Sequence, residues 1–330
     1  MTAALLAALA LTLALTACGS TAPAPLPALP TAADGHPPLL LLGELHDNAA
    51  GQALRLQAIT RLLQDGARPA LLLEQFDRER QAEIDLALQA APGMPPGDAE
   101  FDTTLDALVK IAGPAGAGWD WALYRPVLRL ALQYRLPVVA ANVSRADARQ
   151  VIAQGLAAAG FDAAVPTDIA SAQAAQIVAS HCGQIGTAQA DRMALAQVAR
   201  DQFMARLVER YASRGVLLLA GNGHVRRDLG VPRWLGAALQ QRARSVGYLE
   251  QTDAMPGAFD LNIISPVQSR QDPCASFPAG PPAGSAPGRQ APSKVLDSHP
   301  PSKSEALRAG QSAPPAAPAA SAYAARIKPG

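Results

Sequence analysis

Glutamate and histidine recur where apolar runs end. Glu44 and His46 follow the four leucines at 39–42, Glu74 follows the apolar run 70–73, and His224 follows Gly221-Asn222-Gly223 after the run 216–219. Carboxylates beside imidazoles support two chemistries. Glu44, His46 and His224 are ligands of the kind that hold a divalent ion such as zinc, iron or manganese. Without a metal, a glutamate orients a histidine as general base toward an attacking water, with Glu44, His46, Glu74, Arg145 and His224 as the catalytic set. Spacing alone leaves both open.

These residues need elements that bring them to one edge. An apolar run of four, too short to cross a membrane and ended by glycine, reads as a buried strand of a parallel sheet. In open α/β sheets ligands bind outside the carboxyl ends of the strands, so strands at 39–42, 70–74, 137–141 and 216–219 would gather the polar residues at one rim. Asp47 or Asn48 caps a helix carrying Leu56, Ile59, Leu62 and Leu63 at helical spacing before Gly66. That helix makes a βαβ unit in which Glu44 and Glu74 sit on neighbouring strand ends. Further helices are expected at 78–91, within 101–132, at 146–159 and 191–210, and at about 232–242, with strands at 245–250 and 259–264. The expected fold is α/β: a largely parallel central sheet with helices on both faces, helical insertions, and a polar site at the strand carboxyl ends. Glycines at 113, 116 and 118, just before Trp119 and Trp121, read as a lid hinge or as a plain loop with an aromatic anchor.

The chain has 330 residues and a net charge of +1, with no long basic run, which gives no electrostatic footprint for nucleic acid. Residues 5–15 form an apolar stretch of signal-peptide length, below the roughly 18 residues of a spanning helix. It ends in Leu15-Thr16-Ala17-Cys18-Gly19, which is similar to a bacterial lipobox, although no Lys or Arg precedes it. The expected organisation is a lipoprotein signal peptide at 1–17, lipidated Cys18 with a flexible tether to 37, an α/β domain at 38–275, and a disordered Pro/Ala-rich tail at 276–330. Cys182 and Cys274 then remain. In an oxidising compartment an isolated pair reads as one disulfide, the alternative being two unrelated thiols.

Several separated stretches together resemble a known family. Gly43-Glu44-Leu45-His46, Glu74, Trp121-Ala122-Leu123-Tyr124-Arg125-Pro126, Ala141-Asn142-Val143-Ser144-Arg145, His181-Cys182-Gly183, Gln197-Val198-Ala199-Arg200-Asp201 and the stretch from Gly221 to Pro232 are similar to the ChaN haem-binding, iron-regulated lipoproteins. The wider group includes erythromycin-esterase-like and TraB/TIKI proteins. The resemblance implies an outer-membrane lipoprotein facing the periplasm, binding haem for iron acquisition, with a homodimer and an outer-membrane haem receptor as partners. The wider group implies hydrolysis at the Glu/His positions. Haem needs an axial ligand, an apolar slot and cations for its propionates. Tyr124 is the first candidate ligand and Tyr211 the second, with Arg226 and Arg227 for the propionates. No CxxCH is present, which excludes c-type attachment.

Overall fold

The computed structural model describes residues 28–30, 35–90, 99–113, 118–250, 255–272 and 274–275. The signal peptide, Cys18, most of the tether, hinge residues 114–117 and the tail from 276 lie outside them.

The strands are Leu39–Leu42 (β1), Ala70–Asp77 (β2), Val138–Asn142 (β3), Val216–Leu219 (β4), Arg244–Glu250 (β5) and Leu261–Ser265 (β6). The helices are Ala49–Gln64 (α1), Gln81–Gln89 (α2), Ala99–Ile111 (α3), Trp121–Gln133 (α4), Arg145–Gln154 (α5), Thr167–Ser180 (α6), Thr187–Tyr211 (α7), Asn222–Val225 (α8) and Ala237–Arg242 (α9). The strands form one sheet in the order β3-β2-β4-β1-β5-β6, and every pairing is parallel. β1 is all leucine, a residue with no strand bias of its own. Burial on both faces decides its conformation.

Alternate residues of the central strands face opposite layers. Leu40, Leu42, Leu71, Leu73, Leu217 and Leu219 pack with Ile59 and Leu63 of α1, Leu105 of α3 and Leu128 of α4. Leu39, Leu41, Leu72 and Leu218 pack with Met204, Ala205 and Val208 of α7. The α/β architecture with helices on both faces is therefore as expected, and Asn48 caps α1 by accepting from the Gly51 N–H at 2.6 Å.

Two expectations need correction. Glu44 and Glu74 are not on neighbouring strands, because β4 pairs with β1 on one side and β2 on the other. Hydrophobic pattern identifies strands but carries no strand order, and a βα unit spans a central strand as readily as it joins adjacent ones. The helix expected near 232–242 is also broken: a 3₁₀ turn at Val231–Trp234 is separated from α9 by Leu235 and Gly236 in extended conformation.

Beyond β6 the chain crosses the carboxyl edge of the sheet as a strap. Arg270 donates to both carboxylate oxygens of Asp47 at 2.6 and 2.8 Å and of Glu250 at 2.8 and 2.9 Å. Hydrogen bonds from Arg270 hold the buried Glu250 carboxyl down at about 2. Cys274 then closes the expected disulfide with Cys182, just after α6, with their Cα atoms 5.5 Å apart. Among the described residues no helix is long and apolar enough to cross a membrane.

Candidate functional site

The strand order puts β4 between the two glutamate-bearing strands. The Gly221 turn at its exit thereby comes under His46 and Glu74. A Cβ at Gly221 would press on the His46 ring at 3.1 Å and touch Glu74 Oε2 at 3.8 Å, so a side chain there would have to push the imidazole aside. Gly221 N–H donates to Glu74 Oε2 at 2.7 Å. The α8 turn that follows carries His224 beneath the same carboxylate, with Nε2 3.5 Å from Glu74 Oε1.

Each imidazole is fixed from behind. His46 Nδ1 lies 2.6 Å from Glu44 Oε1, and His224 Nδ1 lies 2.6 Å from Asp201 Oδ1 on α7. A carboxylate on Nδ1 sets the tautomer and leaves Nε2 for chemistry. His46 is half-exposed, with Trp119 edge-on to its ring at 4.7 Å, whereas His224 is largely covered.

Glu44 is the hub of the buried network. Its Oε1 also accepts from the Tyr124 hydroxyl at 2.6 Å, and its Oε2 accepts from Gln52 at 3.0 Å and pairs with Arg55. Burial pushes its carboxyl up, but Arg55, His46 and Tyr124 outweigh that and hold it at about 2. Burial works against the protons on both histidines. Glu44 and Glu74 overcome this for His46, as Asp201 and Glu74 do for His224, so both bind a proton more tightly than a free imidazole. Burial raises Asp201 to about 6, the His224 charge opposing it.

The groove above these groups has a volume of about 1250 Å³ and runs from His46 and His224 under the strap at Val267, Gln268 and Arg270 to Gln173 and Gln176 of α6. A side hollow of about 410 Å³ continues past Glu74, Asn142, Arg145 and Arg200 to Trp119. A separate pocket of about 490 Å³ lies further down edge strand β3. Val139, Ala140, Phe203 and Leu207 line it together with Arg210 and Tyr211.

Residues 36–235 match the family described as haem-binding uptake, Tiki superfamily, ChaN. The chain belongs to that family. Among solved structures it is similar to the one titled as cofacial haem binding to ChaN of Campylobacter jejuni. The identity is 18%, the match covers 67% of this chain and 85% of that one, and the TM-score of 0.53 shows a shared fold. An erythromycin esterase, EreC, in its open conformation is 13% identical, covering 64% of this chain and 70% of that one, with a TM-score of 0.37. No curated protein sequence matches significantly.

In this ChaN family member, Glu44, His46, Glu74 and His224 come together as the sequence suggested, and Arg145 lines the hollow beside them. The metal set of Glu44, His46 and His224 is not assembled: both Glu44 oxygens are taken up by Tyr124, His46, Gln52 and Arg55. Among the described residues no group of three ligating side chains is placed to hold an ion. Tyr124 is almost fully buried and donates to Glu44; burial, with that charge, drives its phenol well above the usual range. Tyr211 is partly exposed, and its hydroxyl makes no hydrogen bond among the described residues. Arg226 and Arg227 line neither groove nor pocket. Arg226 pairs with Asp228 and Arg227 with Asp260, both through two hydrogen bonds.

Asp201 and Arg55 are the site residues that pattern reading passes over. Each had a signal. Asp201 interrupts the buried stripe of α7 formed by Ala194, Val198, Ala205 and Val208, and Arg55 sits on the buried face of α1 with Ile59 and Leu62. An ionisable residue on the buried stripe of an amphipathic helix needs a buried partner.

Proposed function

We propose that this protein is a periplasm-facing, outer-membrane lipoprotein that binds haem non-covalently for iron acquisition, working as a homodimer that exchanges haem with an outer-membrane receptor. Family membership over residues 36–235 supports the haem reading. The lipobox-like stretch ending at Cys18 and the Cys182–Cys274 bridge support an exported, anchored protein.

The observation that carries the choice of seat is the Tyr211 pocket. It meets the requirements of haem in one place. It has a phenol without an internal partner, an apolar wall of Phe203, Leu207 and Val139, and Arg210 as a cation for a propionate. Its volume falls within the range of about 300–1,000 Å³ usual for ligand pockets. Tyr124 lacks the free phenol, because iron could reach its oxygen only by displacing the Glu44 hydrogen bond from inside the core. Bound ferric haem would supply a Lewis-acidic iron to the Tyr211 oxygen, while the apolar wall keeps water off the ring face.

A haemin titration tests this. The wild-type protein is expected to give a saturable Soret band with the charge-transfer band of tyrosinate-ligated ferric haem. Tyr211→Phe should remove the charge-transfer band and weaken binding by more than about ten-fold, whereas Tyr124→Phe and His224→Ala should leave both intact. An unchanged spectrum in Tyr211→Phe would exclude this seat.

A second reading, hydrolysis in the groove, is favoured by one arrangement: two imidazoles, each with a carboxylate on Nδ1, on either side of Glu74. His46 is open to solvent and suits the base that takes a proton from water. His224, whose proton Asp201 and Glu74 hold more tightly than a free imidazole would, suits the group that faces developing negative charge. Turnover of p-nitrophenyl esters should then fall by about 10²-fold or more in His46→Gln. Turnover equal to that of wild type would remove His46 from the reaction.

A further inference from the structure

The side hollow holds two arginines that form no ion pair among the described residues. Arg145 and Arg200 both line it, beside His46 and His224. Arg200 is fixed by neutral acceptors, and the buried Asp201 carboxylate whose charge it feels is taken up by His224. The Arg200 Nε donates to Asn142 Oδ1 at 3.1 Å and its Nη1 to Gln197 Oε1 at 3.4 Å, and both acceptors are neutral amides. Asn142 is in turn oriented by donating to Asp77 Oδ1 at 3.0 Å. Of the two carboxylates in the wall, Glu74 is held by Gly221 and His224 and Asp77 by Asn142.

Arg145 is exposed and pairs with no carboxylate among the described residues. It is the first residue of α5, where the helix dipole disfavours a cation. Helix stability therefore does not explain an arginine there. A residue that breaks a local rule without compensation marks a functional position.

We propose that this hollow is a subsite for the anionic group, carboxylate or phosphate, of a small organic acid. Its two oxygens would lie on the guanidinium forks of Arg145 and Arg200, and its organic part would lie along Trp119 toward the His46 end of the groove. The planar fork of arginine matches both anions in two-point contact, and the amide chain from Asp77 through Asn142 holds Arg200 ready for it. The subsite is separate from the Tyr211 pocket and depends neither on haem nor on hydrolysis.

Calorimetric titration of the full protein with N-phenylsuccinamate, phenyl phosphate and the neutral butyranilide tests it. At least one anion should bind about ten-fold more tightly than butyranilide, as one charge-assisted contact confers. Whichever anion binds better identifies the source of the charge. Arg145→Ala, at an exposed position, should abolish the advantage, and Arg145→Lys should restore part of it. Equal binding of all three probes, or an advantage that survives Arg145→Ala, overturns the proposal. Displacement of the anion by stoichiometric haemin would also overturn it, because the cations would then serve a propionate.

Discussion

Arg55→Met is expected to destabilise the domain by about 3 kcal/mol at neutral pH. Both Arg55 and Glu44 are almost wholly buried, so the variant leaves a carboxylate in the core without its guanidinium partner. Removing one member of a buried pair costs more than the pair itself contributes, because the survivor keeps its desolvation penalty. Tyr124, His46 and Gln52 still donate to Glu44, which places the loss toward the lower end of such cases. The pH dependence gives a sharper test. Glu44 lies at about 2 in the fold against an ordinary 4.5, so its contribution is in place above 4.5 and is lost as pH falls toward 2. In the variant the Arg55 attraction is gone and the carboxyl rises from that low value. The deficit should therefore be widest at neutral pH and narrow in mild acid. Urea midpoints at both pH values check this; a deficit independent of pH would mean that lost packing, not charge, is responsible.

Breaking the Cys182–Cys274 bridge should have an effect of similar size. The two cysteines are 92 residues apart, and releasing a loop of that length from the unfolded chain corresponds to about 4.6 kcal/mol in the chain-entropy model. The double variant Cys182→Ser/Cys274→Ser and the reduced wild type should show the same lower urea midpoint. The structural consequence is local. Without the bridge the strap is held by Arg270 and its two carboxylates, with weaker hydrogen bonds from Asn48 to the Pro266 carbonyl and from the Gln268 N–H to Glu250. Hydrogen exchange at 266–272 should accelerate while β1 and β4 remain protected. Equal urea midpoints in the oxidised and reduced protein would show that the bridge adds nothing to stability.

What could be read beforehand follows a physical division. Runs of apolar residues report burial, so β1, β4 and the Asn48 cap were legible, as was the convergence of His46 and His224 on one edge. Strand order depends on which runs pair across long stretches of chain, and no local pattern encodes it; β4 between β1 and β2 came from the structure alone. Arginine and tyrosine were the least legible types. Arg226 and Arg227 lie next to His224 in sequence, yet Asp228 and Asp260 take them up, while Arg55, in no motif, is the residue that pairs with Glu44. The aromatic cluster at Trp119, Trp121 and Tyr124 was visible as a cluster. Its direction was not, and Tyr124 points inward to Glu44.

The intercalation of β4 also determines when the molecule can be completed. β1 emerges early in synthesis, but the strand that joins it to β2 comes from residues 216–219, after the whole of α7 has been made. Until then Glu44, His46 and Glu74 belong to two strands with no common neighbour, and neither Gly221 nor His224 is available to join them. Pairing across so long a separation carries a large loop-closure entropy before any contact rewards it, which makes slow folding the expectation for this chain. A nascent or truncated chain ending before residue 216 would expose the inner edges of β1 and β2, a template for association with other strands. That interval is when an escorting chaperone has the most to hold.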